Sequence, residues 1–184
     1  ASAFPSVHIV GSLTSKLPSK FFDNFDTILR SKVLYGLECI QLTQPDLDKI
    51  NSFQMKSLRR ILKIPPTFID RSFPNQRVLD VLRDTHHLSI HLFSQIWLKR
   101  KLKLFGHILR SSPDDPLRQV LFEYNSFTPR IEYRRPGRPR TDWLLQSFKD
   151  AFALLGRGDE FDSNVLEHIQ FIVHSANARQ GVFA

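Results

Sequence analysis

The sequence predicts an all-α fold: an irregular bundle of about five or six helices, with an extended N-terminal arm and an Arg/Pro-rich arm. Three observations predict it. Apolar residues recur at helical spacing in successive segments. Those segments are bracketed by capping residues and by proline or glycine breakers. The chain has 184 residues, 41% of them apolar, enough to bury a core without disulfide staples.

Residues 1–18 contain Pro5, Gly11 and Pro18 and read as an extended arm, with Val7 to Val10 suited to one short strand and His8 a surface or packing residue. The first helix is expected from Ser19 to Tyr35, with Ser19 as N-cap and Phe21, Phe25, Ile28, Leu29 and Val33 on one face. Gly36 should end it. Leu37 to Leu42 reads as a short apolar link, strand or irregular. The second helix is capped by Thr43 or Gln44, has Pro45 in its first turn, and stops at Pro65-Pro66. Leu47, Ile50, Leu58, Ile61 and Leu62 line its apolar face. A loop over 64–74 precedes a short helix from Asn75 to Arg83 and a long one from Leu88 to Arg110, whose core face is Leu92, Phe93, Ile96, Phe105, Ile108 and Leu109. Asp114-Asp115 lies in a turn leading to a short helix at Leu117–Phe122. Further helices are expected at Trp143–Leu155 and Asn164–Ala176. The chain therefore divides into an arm (1–18), a helical domain (19–127), a basic arm (128–142) and a C-terminal helical segment (143–184).

Charge is concentrated in the middle. The net charge is +8 and the isoelectric point about 9.9, but residues 45–141 hold nineteen basic against nine acidic side chains, while residues 142–184 are net acidic. On the second helix Lys49, Lys56, Arg60 and Lys63 form a stripe, broadened by Arg59. On the long helix Lys99, Lys103, His107 and Arg110 form another, flanked by Arg100 and Lys101. An amphipathic helix always shows a charged outer face. Here two helices and an arm are basic together, with few acids interleaved, and that combination suits a polyanionic partner.

The arm is the most distinctive stretch. Arg130, Arg134, Arg135, Arg138 and Arg140 surround Pro136, Gly137 and Pro139. Proline excludes helix and central strand, so the guanidinium groups are expected to stand off an extended backbone. Their planar forks suit phosphates and base edges. Gly137-Arg138-Pro139 also resembles the centre of an AT-hook, a minor-groove arm, and fits RNA equally well.

No constellation for catalysis is present, and no cofactor or metal is expected. Asp114-Asp115 lacks the flanking strands of a two-metal carboxylate site. His86, His87 and His91 are close in sequence, and His87 with His91 could share a helix face, but no further ligand stands at obvious spacing from that pair. The single cysteine, Cys39, excludes an internal disulfide and is expected to be a small buried hydrophobe. Sixteen phenylalanines against three tyrosines imply apolar surface to be covered by a core or by partner proteins. No apolar run approaches a membrane span.

Three elements, in order, resemble one family. The first is the run Leu34 to Ile64, with Tyr35-Gly36, Phe53-Gln54-Met55 and Arg59-Arg60-Ile61-Leu62. The second is the basic helix Arg100 to Arg110, ending Gly106-His107-Ile108-Leu109-Arg110. The third is the arginine-rich Gly-Arg-Pro element from Arg134 to Trp143. Together they resemble the region after the palm in reverse transcriptases of non-LTR retrotransposons, over about residues 19–148. Ile40 stands where that family has a tryptophan. The resemblance implies a thumb-like helical region gripping nucleic acid, without the catalytic palm. It carries phosphate contacts over to Lys56, Arg59, Arg60, Lys101, Lys103, His107, Arg138 and Arg140.

The expected function is a non-catalytic, retroelement-derived module that binds RNA or DNA, RNA foremost, through the basic helices and arm. It would act as a structural subunit of a larger ribonucleoprotein such as an organellar ribosome, with Phe-rich surfaces meeting neighbouring proteins. The missing initiator Met and an acid-free, serine-rich residue run 1–22 point to an organellar, mitochondrial location. Two alternatives remain open: a protein-docking scaffold in an organellar complex without nucleic acid, and a fragment of an active reverse transcriptase.

Overall fold

A chain that leaves a helix through the left-handed region favours a residue without a Cβ, and Gly36 supplies it at φ 70°. The computed structural model describes residues 19–87, 90–127, 130 and 142–155. Helix α1 spans Ser19–Val33, and beyond Gly36 the link becomes a single 3-10 turn at Leu37–Cys39. A Cβ at Gly36 would meet nothing within 4 Å, so a Gly36→Ala variant suffers backbone strain alone. It is expected to lose about 1 kcal/mol, read as a lower urea midpoint at unchanged slope.

The observed architecture is all-α: six α-helices and no strand among the described residues. Helix α2 is Gln44–Ile61, with Thr43 as N-cap. The Asp46 carboxylate accepts from the Thr43 hydroxyl at 2.6 Å and its backbone N–H at 3.3 Å, and these bonds hold its carboxyl below the ordinary range. The helix closes through Lys63 at φ 53°, with the Ile64 N–H bonded back to the Arg59 carbonyl at 2.9 Å. Helix α3 is Asn75–His86, ended by His87 in the left-handed region.

Helix α4, Phe93–Arg110, starts later than the expected Leu88. Its first N–H groups, which no earlier turn of the helix can satisfy, are capped from α2, across about forty residues. Gln54 accepts from the Phe93 N–H at 2.9 Å and donates to the His91 carbonyl at 2.9 Å. Asn51 accepts from the Ser94 N–H at 3.0 Å and donates to its hydroxyl at 2.9 Å. Orphan donors at a helix start need such acceptors, and the start settles where α2 provides them. Helix α5 is Pro116–Leu121, capped by Asp115, whose carboxylate accepts from the Leu117 N–H at 2.8 Å. Helix α6, Trp143–Leu154, is capped by Asp142 in the same way.

The chain forms two compact units. The first comprises the described residues to Tyr35 together with Leu42–Ile96, and its core is Phe22, Met55, Leu58, Leu62, Ile64, Phe73, Val78 and Leu82. The second comprises Gly36–Gln41 and the described residues from Trp97 onward. Its core joins α4 and α6: Phe105 packs edge-on against Phe148, ring centroids 4.7 Å apart, and against Trp143 at 6.1 Å. The two tryptophans also hold the 36–41 segment in this unit. Trp97 Nε1 donates to the Leu37 carbonyl at 2.8 Å and Trp143 Nε1 to the Glu38 carbonyl at 2.9 Å. Fastened through its backbone, this segment leaves Cys39 exposed, which corrects the expectation of a buried cysteine.

Among the described residues phenylalanine mainly builds cores. Phe22, Phe73, Phe93, Phe105, Phe122, Phe148 and Phe152 are buried, whereas Phe53 and Phe68 are exposed. Among the described residues no helix is long and apolar enough to cross a membrane. The expected N-terminal arm and the helix at 164–176 lie outside the described residues.

Candidate nucleic-acid interface

A cation can meet a phosphate only if its charge is neither buried nor already neutralised. The basic side chains of α2 and α4 sort cleanly on that test. On α2 and just after it, Lys49, Lys56, Arg60 and Lys63 are exposed. Lys49 lies 3.6 Å from Asp46 in a solvent-exposed pair, which is worth little and exchanges readily. Lys56, Arg60 and Lys63 form no ion pair with a described residue. In the second unit Lys99, Lys103, His107 and Arg110 are exposed along α4, and Arg100 is half-buried. Lys99, Lys103 and Arg110 likewise form no ion pair with a described residue. Spacings of four, four and three keep this row on one side of the helix.

Two expected contacts are corrected. Arg59 is only 6% exposed. Its guanidinium donates to the Pro65 carbonyl at 2.8 Å, to the Phe73 carbonyl, and to Asn75 Oδ1 at 3.1 and 3.3 Å. One helical step from Arg60 turns it about 100° toward the core, where it fastens the loop after α2. Burial pushes its pKa down, with the Asp70 charge opposing. Lys101 is 0% exposed. Its ammonium donates to Gln41 and to Asp150 at 2.8 Å, and lies 5.3 Å from the centre of the Trp97 ring. Neither cation is free to reach a phosphate.

Arg118, not counted among the candidates, is also structural: it donates to the Ser111 carbonyl at 2.7 Å and lies 4.4 Å above the Phe127 ring. Exposed Arg71 and Arg77 in the first unit lie outside both helical stripes. Arg77 sits 5.0 Å over the Phe73 ring. Of the basic arm, Arg130 is exposed, its N–H bonded to the Leu121 carbonyl at 2.9 Å; Arg134, Arg135, Arg138 and Arg140 lie outside the described residues.

No cluster of three or more His, Cys, Asp or Glu suited to a metal ion occurs among the described residues. What the arrangement offers chemically is two rows of unneutralised cations, one in each unit. No family model matches the chain, and no curated protein or solved structure matches it either.

Proposed function

We propose that this chain is a non-catalytic nucleic-acid-binding module, with RNA as its partner. It serves as a structural subunit of a larger ribonucleoprotein, such as a mitochondrial ribosome, and its fold derives from the post-palm region of a non-LTR reverse transcriptase. One observation carries the reading. Lys56, Arg60 and Lys63 in one unit, and Lys99, Lys103 and Arg110 in the other, stand exposed without described acidic partners. Rows of this kind displace the counterions condensed on a phosphate backbone.

The test is RNA binding by the full chain across a salt series. Affinity should fall steeply as salt rises. A Lys56→Ala/Arg60→Ala variant should bind more weakly and lower the slope of log affinity against log salt by about 1 for each cation removed. Affinity indifferent to salt overturns the proposal.

A protein-docking scaffold is the second reading, and one feature favours it. Phe68 is 81% exposed beside exposed Ile69, on a loop braced by Asp70 accepting from the Ser72 N–H at 2.9 Å and by the Ile69 N–H bonded to the Pro66 carbonyl at 2.9 Å. Retention of RNA by the salt-sensitive route separates the two.

A further inference from the structure

The outer row of α2 contains one residue that phosphate binding does not require. Phe53 follows Lys49 by four positions and precedes Lys56 by three. At 3.6 residues per turn, Lys49, Phe53, Lys56 and Arg60 fall within an arc of roughly 60° and span about 16 Å along the axis. The buried residues Gln54, Met55 and Leu58 occupy the opposite side of the same helix, and buried Arg59 lies on its flank. Phe53 is therefore directed away from its unit's core, takes no part in it, and is 45% exposed. Its own helix position, set by the register that buries Met55 and Leu58, keeps the ring among the cations.

We infer that this face of α2 binds single-stranded nucleic acid, with the cations along its backbone and an unpaired base stacked on the Phe53 ring. The inference deepens the function proposed above and rests on it. Phosphates alone would be satisfied by cations and would not distinguish duplex from single strand. A duplex keeps its base faces inside the stack, whereas a single strand presents them. The ring has no hydrogen-bonding group, so it accepts any base and brings no sequence preference. The spacing is suitable: cations one helical turn on either side of the ring can hold the phosphates flanking one splayed nucleotide.

The experiment compares the full chain and its Phe53→Ala and Phe53→Trp variants at fixed salt. The probes are a single-stranded RNA, a single-stranded DNA of the same sequence, and an RNA duplex of equal length. Circular dichroism verifies folding, which an exposed position should leave intact. Phe53→Ala should weaken both single strands by about 5- to 150-fold and leave the duplex unchanged, and Phe53→Trp should retain wild-type affinity. An equal loss on duplex and single strands overturns the inference, as does no loss at all. In both cases the wild type still binds, and the broader function stands. Wild-type chain that binds none of the three probes overturns both. Loss of a co-purifying protein with single-strand affinity intact overturns it in favour of protein docking.

Discussion

Replacing Asp150 with alanine will destabilise the chain by about 3 kcal/mol, measured by urea unfolding. Lys101 is wholly buried, and its ammonium depends on Asp150 and Gln41 for hydrogen bonds. Without the carboxylate a charge remains inside with one neutral acceptor and a ring face. The side chain of Asp150 is 20% exposed, which places the loss at the low end for buried pairs. The reverse replacement is milder. Lys101→Met fills similar space with an apolar chain, and Asp150 keeps the amide of Gln146, bonded at 3.0 Å, and access to water. The double variant Lys101→Met/Asp150→Ala should recover most of the loss, because no buried charge is left unpaired.

The same group gives a pH signature. Burial pushes the Lys101 pKa below its ordinary 10.5, with the hydrogen bond and charge of Asp150 opposing. Between the lowered folded value and 10.5 the unfolded chain holds more protons than the folded one, so this residue makes stability rise with pH in that window. Below it the ammonium is charged in both states and its burial penalty is felt in full. Subtracting the Lys101→Met profile from the wild-type profile isolates the contribution. A difference that falls with rising pH there contradicts the assignment.

Arg59→Ala is the second large effect, also about 3 kcal/mol. It strips hydrogen bonds from the carbonyls of Pro65 and Phe73 and from Asn75, which together anchor the 64–74 loop. Lysine should rescue little, because a single ammonium cannot span acceptors that a planar fork reaches at once. Proteolysis within 66–72 should accelerate in both variants. At temperatures where Arg59→Ala remains folded, its nucleic-acid affinity should match wild type, since the guanidinium faces inward. Lys56→Ala/Arg60→Ala should behave oppositely, keeping stability and losing affinity. An Arg59→Ala protein that folds normally but binds poorly would show that Arg59 leaves its internal bonds to meet the ligand.

The neighbours Arg59 and Arg60 show how far the sequence reads by itself. Charge and spacing suggested that both belonged to one outer stripe. The core takes Met55, Leu58 and Leu62, and that register carries Arg59 inward to carbonyls six and fourteen positions away. Lys101 was harder to read. Its acceptors lie 60 and 49 positions distant, at Gln41 and Asp150, and no local pattern connects them. The late start of α4 has the same origin, since its caps belong to Asn51 and Gln54. Phe53 was visible as a residue type but not as an exposed ring.

Local sequence alone determined where most helices begin and end. Gly36, Thr43 with Asp46, Pro65-Pro66, Asp115-Pro116 and Asp142 act through backbone preference and bonds within a few residues. It also determined that positive charge gathers on the outer faces of α2 and α4. Only tertiary structure decided which cations remain free. A lysine or arginine is bound or available according to acceptors that folding brings from distant segments, and desolvation then commits Arg59 and Lys101 to the interior while Lys56, Arg60, Lys99 and Lys103 stay in water.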